Sequence, residues 1–242
     1  NRVSQGVEVR VLSPAQMKKV LVIVGPTASG KSDLAVRLAK KFNAEIISAD
    51  SRQVYKGLNI GTGKITKKEM LGVIHHLLDV AEPKQTFDAS QYKILAEKAM
   101  EKIEKKNKLA IIVGGTGFYI DILAGSISLP EVPPNKKLRA GLEKKSTEVL
   151  FKILQKKDSA RAKNIDPRNK VRIIRALEII EALGKVPVLK QKFDKKFVFI
   201  GINPNQEVLD KNIKTRLDSR MKKGMINEVR KLRTKGLSWK RL

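Results

Sequence analysis

The chain has 242 residues, room for one large domain or for a domain carrying an insertion, and its 41% hydrophobic content excludes global disorder. Its 51 Lys and Arg against 24 Asp and Glu give a formal charge of +27, which points to a polyanionic partner, nucleic acid first, ahead of a merely solvated lysine-rich surface. With no cysteine, disulfides, thiolate zinc sites and cysteine nucleophiles are excluded. No segment reaches membrane length and no apolar leader opens the chain, so it reads as a cytoplasmic monomer without a membrane partner.

In chain order, residues 1–16 precede Met17-Lys18-Lys19, which reads as a natural start, and are expected to be an extension outside the fold. The apolar run 20–24 predicts a strand and 33–42 a helix, with Leu34/Leu38 and Ala35/Ala39 at helical spacing. Between them lies Gly25-Pro26-Thr27-Ala28-Ser29-Gly30-Lys31-Ser32, a G-x-x-x-x-G-K-S phosphate loop in its required strand-to-helix setting. Its glycines let backbone N–H groups wrap phosphate oxygens, Lys31 adds a point charge, and the Ser32 hydroxyl can hold Mg²⁺ bridging two phosphates. A second strand over 45–48 runs into Ala49-Asp50-Ser51-Arg52-Gln53, which completes a parallel βαβ unit. Residues 54–88 read as loop, 89–106 as a helix with Tyr92, Ala96, Ala99 and Ile103 on one stripe, and 109–113 as a third strand ending in Gly114-Gly115-Thr116-Gly117. Side chains beyond the carboxyl ends of parallel strands share one edge, so the loop, Asp50 and Thr116 are expected to converge.

At 130–135 (PEVPPN) the composition shifts, and from 135 to 196 Lys and Arg outnumber Asp and Glu by 19 to 7 with helical periodicity throughout. The expected fold class is therefore α/β: a P-loop NTPase-like parallel sheet flanked by helices (17–129 and 197–242) with a mostly helical insertion domain (130–196). Helix 171–183 of the insertion shows Ile173, Leu177 and Ile180 on one face and Arg168, Arg172 and Arg175 on another, a row suited to phosphate contacts and equally to a solvated face. A Pro- and Lys-rich connection at 187–196 leads to strand 197–202 and to helices 206–223 and 225–233.

A phosphate loop admits three chemistries. An RNA-stimulated ATPase needs an apolar strand ending in a metal-holding Asp, whereas strand 109–113 ends in Gly-Gly-Thr. A small-molecule or nucleotide kinase suits the size and the lone loop but leaves the charge unexplained. Group transfer from a diphosphate donor to an acceptor on nucleic acid uses both.

Read in order, GPTASGKS (25–32), ISADSRQVYKGLNIGTGK (47–64), HHLLDV (75–80), VGGTGFYI (113–120), IDPRNKVRIIRALEI (165–179) and Arg216 with RMKKGMINEV (220–229) closely resemble the bacterial-type tRNA dimethylallyltransferases, from Met17 to about Leu237. The resemblance implies transfer of a dimethylallyl group from dimethylallyl diphosphate, with Mg²⁺, to N6 of the adenosine just 3′ of the anticodon in tRNAs reading codons that begin with U. By the same resemblance Asp50 is the general base, Thr116 lies near the reacting centre and Arg216 binds the diphosphate beside residues 25–32. Asp50, Ser51, Arg52, Gln53 and Thr116 would face the extruded adenine, and Arg139, Arg172 and Arg175 would touch tRNA from the insertion. Members of the family normally continue past the point where this chain stops, so part of the tRNA grip is expected beyond Leu242.

Overall fold

The computed structural model describes residues 19–187 and 196–242, so the expected extension and most of the connection at 187–196 lie outside the described residues. The described residues divide into two compact units, 19–127 with 196–242, and 128–187.

In the first unit the elements run β1 (Val20–Val24), α1 (Lys31–Lys41), β2 (Ala44–Ser48), α2 (Lys67–Met70), β3 (His75–His76), α3 (Ala89–Lys105), β4 (Leu109–Val113), α4 (Gly117–Leu123), then β5 (Phe197–Gly201), α9 (Gln206–Lys222) and α10 (Met225–Thr234). The strands form one parallel sheet in the order β3-β2-β4-β1-β5. A parallel sheet is covered on both faces, which is why its strands are apolar at nearly every position. Alternate residues serve opposite faces: Val20, Val22, Ile47, Ala110 and Ile112 meet Tyr92, Ala96, Ala99 and Ile103 of α3 and Tyr119, Ile120 and Leu123 of α4. Ile23, Ile46, Ile111 and Val113 meet Ala35, Val36, Leu38 and Ala39 of α1. Tyr92 and Tyr119 stack with ring centroids 3.9 Å apart, which fixes α4 on α3.

Three differences from the expected elements have local causes. Helix α1 begins at Lys31, two residues early, because Gly30 adopts φ +86° and lets the phosphate loop itself turn into the helix. Strand β3 has two residues, too short for any periodic signal, and is held beside β2 by buried Glu45, which accepts from His76 Nε2 at 2.7 Å, Lys106 at 2.9 Å and Lys108 at 3.1 Å. Burial pushes the Glu45 carboxyl up, but these hydrogen bonds outweigh it and hold it at about 2. Helix α4 was masked by the Gly-Gly-Thr-Gly run that precedes its apolar face.

Because β2, β4 and β1 are neighbours, the segments leaving their carboxyl ends lie side by side, and the seam between β2 and β4 is zipped past its last strand pair. Ala49 N–H donates to Val113 O at 2.8 Å and Thr116 N–H to Ala49 O at 3.0 Å. A β-carbon at Gly114 would overlap the Ala49 carbonyl, whereas one at Gly115 would meet nothing within 4 Å. Gly114→Ala is therefore expected to lose about 1–3 kcal/mol in urea unfolding, the usual cost of overpacking against a backbone that cannot yield. Gly115→Ala is expected to stay within about 0.5 kcal/mol.

The second unit contains α5 (Lys136–Glu143), α6 (Thr147–Lys157), α7 (Ser159–Lys163) and α8 (Lys170–Leu183). Leu150 and Leu154 of α6, Ala162, Ile165, and Ile173, Ile174, Leu177 and Ile180 of α8 form its own apolar core.

Candidate active site

At the carboxyl edge of the sheet a cleft of about 890 Å³ is lined by residues 27–33 of the phosphate loop, by Asp50, Arg52 and Gln53 after β2, by Gly114 and Gly115 after β4, by the turn 59–66, and by one face of α9. Strand order brings the segments after β1, β2 and β4 together, and hydrogen bonds from Arg216 and Arg220 join the turn 59–66 to α9. Gly25, with φ +151°, sits where a β-carbon would lie 2.5 Å from the Ile202 carbonyl oxygen, so the loop can pass close to the residue that follows β5. Helix α1 has no side-chain cap, which leaves its first backbone N–H groups to receive an anion. Lys31 Nζ donates to the Gly25 carbonyl at 2.8 Å and to the Pro26 carbonyl. Ser32 occupies the second position of α1, exposed to the cleft.

Asp50 is half-buried and organised by the turn it opens. Its Oδ1 accepts from the backbone N–H of Arg52 at 2.8 Å and of Gln53 at 3.2 Å, and its Oδ2 from the Gln53 side-chain amide at 3.3 Å. A carboxylate oxygen has two lone pairs, so Oδ2 keeps one for a further donor. Thr116 Oγ1 accepts from the Ser51 backbone N–H at 3.0 Å and donates to Ser51 Oγ at 3.3 Å. Thr116 is the residue that precedes α4 and is half-buried; neither it nor its hydrogen-bond partner Ser51 is among the residues lining the cleft.

Helix α9 supplies the opposite wall. Asn212, Arg216, Arg220 and Lys223 recur at spacings of four, four and three and lie on one face. Asn212 donates to the Ala28 carbonyl at 3.2 Å, Arg216 to the Gly63 carbonyl at 3.5 Å and Arg220 to the Gly61 carbonyl at 3.2 Å. Arg220 and Asn212 were missed in the sequence, although continuing the helical period from Arg216 in both directions finds them. Burial lowers the affinity of Lys31 and of Arg220 for their protons; the Arg216 charge lowers both further, and Asp50 partly restores both. Three mutually repelling cations thus face one carboxylate across a cleft. Such an arrangement is relieved by a bound polyanion, and a diphosphate matches it in charge and in its fit to a phosphate loop.

The remaining expected site residues, Arg139, Arg172 and Arg175, lie in the second unit, and they are not alike. Arg172 is exposed. Arg139 and Arg175 both turn onto Glu178, which is 1% exposed: Arg139 Nε at 2.8 Å and Nη2 at 2.7 Å, Arg175 through Nη1, with the Asn135 backbone N–H donating at 2.5 Å. Arg175 also donates to the Val132 carbonyl at 2.8 Å. The expected row of arginines is therefore split, because a helix that buries Glu178 must turn its i−3 neighbour inward to meet it.

Among the described residues no three His, Asp or Glu are grouped to hold a metal ion, and no helix is long and apolar enough to cross a membrane.

The chain matches the family described as IPP transferase over residues 53–241. It is 41% identical over 225 residues to the tRNA dimethylallyltransferase of Anoxybacillus flavithermus, covering 91% of this chain and 72% of that one. It is 40% identical over 222 residues to the tRNA dimethylallyltransferase of Bacillus licheniformis, covering 88% and 71%. Among solved structures it is similar to the full-length tRNA isopentenylpyrophosphate transferase of Bacillus halodurans, with 37% identity, TM-score 0.65, and 92% and 72% of the two chains covered. It is also similar to a eukaryotic dimethylallyltransferase captured acting on tRNA, with 30% identity, TM-score 0.80, and 89% and 56% covered.

Proposed function

The chain belongs to the IPP transferase family, the tRNA dimethylallyltransferases, and on that premise we propose that it prenylates N6 of the adenosine 3′ of the anticodon, using dimethylallyl diphosphate. What carries the reading to these residues is the cleft itself: a phosphate loop, Arg216 with Arg220, and the Asp50 carboxylate all line it. The kinase left open by the loop alone is not favoured, since relatives 41% and 40% identical over 91% and 88% of this chain are named tRNA dimethylallyltransferase.

In the proposed reaction the adenine N6 lone pair attacks the allylic carbon, the carbon–oxygen bond breaks, and its electron pair leaves on the diphosphate. The proton displaced from N6 passes to Asp50, whose Oδ2 has the open lone pair. Residues 25–31 hold the leaving diphosphate through backbone N–H groups and Lys31, and Arg216 with Arg220 offset the charge that builds on it. Ser32 is the residue that would hold Mg²⁺, an ion that takes most of its ligands from phosphate oxygens and water and so requires no carboxylate cluster. When bound, the ion neutralises part of the diphosphate charge.

An adenine stacked in an anticodon loop must be extruded to bring N6 to Asp50; Arg52 and Gln53 line the cleft that would receive it, and the Ser51–Thr116 hydrogen bond supports the turn that carries them. The helical unit would grip the stem-loop, Arg172 being its exposed arginine among the three carried over. Incubation with an anticodon stem-loop and either labelled dimethylallyl diphosphate or labelled ATP tests the reading. Label is expected to reach RNA from the prenyl donor; ATP turnover without labelled RNA would overturn it. Stem-loop affinity should also fall linearly on a logarithmic salt scale, with a slope set by the number of phosphates neutralised.

A further inference from the structure

The turn 59–63 lies between the arginines of α9 and the base, and a single distant carboxylate holds it. Glu228, in the first turn of α10, accepts three consecutive backbone N–H groups: Asn59 at 3.0 Å and Ile60 at 2.8 Å on Oε2, and Gly61 at 2.9 Å on Oε1. Successive N–H groups converging in this way make an anion-binding concavity, and here a side chain of the same protein fills it.

Filling it fixes where the other side of the turn points. With its amides on Glu228, and with internal bonds from Gly63 N–H to the Ile60 carbonyl and from Lys64 N–H to the Asn59 carbonyl, the turn presents the Gly61 and Gly63 carbonyls to α9. Those carbonyls receive Arg220 and Arg216. The Gly63 carbonyl also accepts from the Gln53 side-chain amide at 3.5 Å, the same amide that donates to Asp50 Oδ2. A β-carbon at Gly63 would strike both guanidinium groups, so the fit is close on that side as well.

We infer that Glu228 is a positioning residue for the diphosphate site: by clamping the turn 59–63 it sets the height of Arg216 and Arg220 over the phosphate loop and aligns Gln53 on Asp50. The inference rests on the reading of the cleft as a diphosphate site. Two guanidinium groups that repel each other need carbonyl acceptors in fixed places to stay on one helix face. Freed of Glu228, three amides seek water, the turn relaxes, and both acceptors move with it.

The test is binding of inorganic diphosphate to the tRNA-free protein by calorimetry, alongside donor and stem-loop KM values. In Glu228→Ala the diphosphate Kd and the donor KM are expected to rise by about tenfold or more, with a much smaller rise in the stem-loop KM, to which the turn is linked only through Gln53. In that background Arg216→Ala and Arg220→Ala should cost much less than in the wild type, because the clamp and the arginines act as one unit. Glu228→Gln, which keeps the shape and one acceptor oxygen, is expected to fall between. A merely structural role would lower the melting temperature and the active fraction and leave the diphosphate Kd of the folded protein untouched. An unchanged Kd in Glu228→Ala, or in Glu228→Gln should the alanine variant fail to fold, overturns the inference. Failure of wild-type protein to label RNA would instead sink the prenyl-transfer reading, leaving the diphosphate measurement to stand alone.

Discussion

Replacing Asp50 by Asn is expected to reduce prenyl transfer to RNA by about 10²–10⁴-fold, the range over which a positioned general base contributes. The substitution is chosen to separate two roles of this side chain. The amide oxygen of Asn can still accept the Arg52 and Gln53 backbone N–H groups that Oδ1 holds now, so the turn leaving β2 keeps its shape. What is lost is the proton acceptor, together with the negative charge that offsets Lys31 and Arg220. Diphosphate binding should therefore be as tight as in the wild type or tighter, since a carboxylate facing the same anion has been neutralised. Asp50→Ala removes the turn acceptor too and is expected to lose the same activity plus some stability. Single-turnover labelling of an anticodon stem-loop, paired with calorimetry on diphosphate, reads both effects. Full activity in the Asn variant would remove Asp50 from the base role and leave it as the cap of a turn.

The difference between what was legible in the sequence and what was not follows the range of the interactions. The phosphate loop, β1, β2, β4 and the apolar stripe of α3 are written in local spacing, and the neighbouring places of β1, β4 and β2 in the sheet then bring Asp50 to the loop. Arg216 is legible through the segment around it, whereas Arg220, one turn on, is tied to the site only by its acceptor at Gly61. Glu228 could not be read at all, because its partners stand 167–169 residues earlier and are backbone amides, which leave no trace in side-chain pattern. In the same way Arg175 and Arg172 are indistinguishable by composition. Only the burial of Glu178 tells which of them is committed to the fold.

That commitment is the basis of a second large effect, on stability. Removing Arg139 and Arg175 together by alanine substitution is expected to cost about 3–5 kcal/mol, because it leaves a buried carboxylate with little beyond the Asn135 N–H. Arg172→Ala, on the exposed face, should stay within about 0.5 kcal/mol. The pH dependence has a fixed sign. Burial alone would raise the Glu178 carboxyl, but the hydrogen bonds from Arg139, Arg175 and Asn135 hold it at about 2, below the usual 4.5. The stabilisation is then complete above pH 4.5 and is lost as the pH falls towards 2, so wild-type protein should lose more stability between pH 5 and pH 3 than Glu178→Gln does. Urea unfolding followed by circular dichroism at the two pH values measures this difference. Stem-loop binding by the same variants divides the arginines further: Arg172→Ala should weaken RNA binding in a fully folded protein, whereas the paired substitution should weaken it only as far as the helical unit unfolds. A double variant that bound RNA poorly while remaining as stable as wild type would reverse the assignment and return Arg139 and Arg175 to the RNA surface.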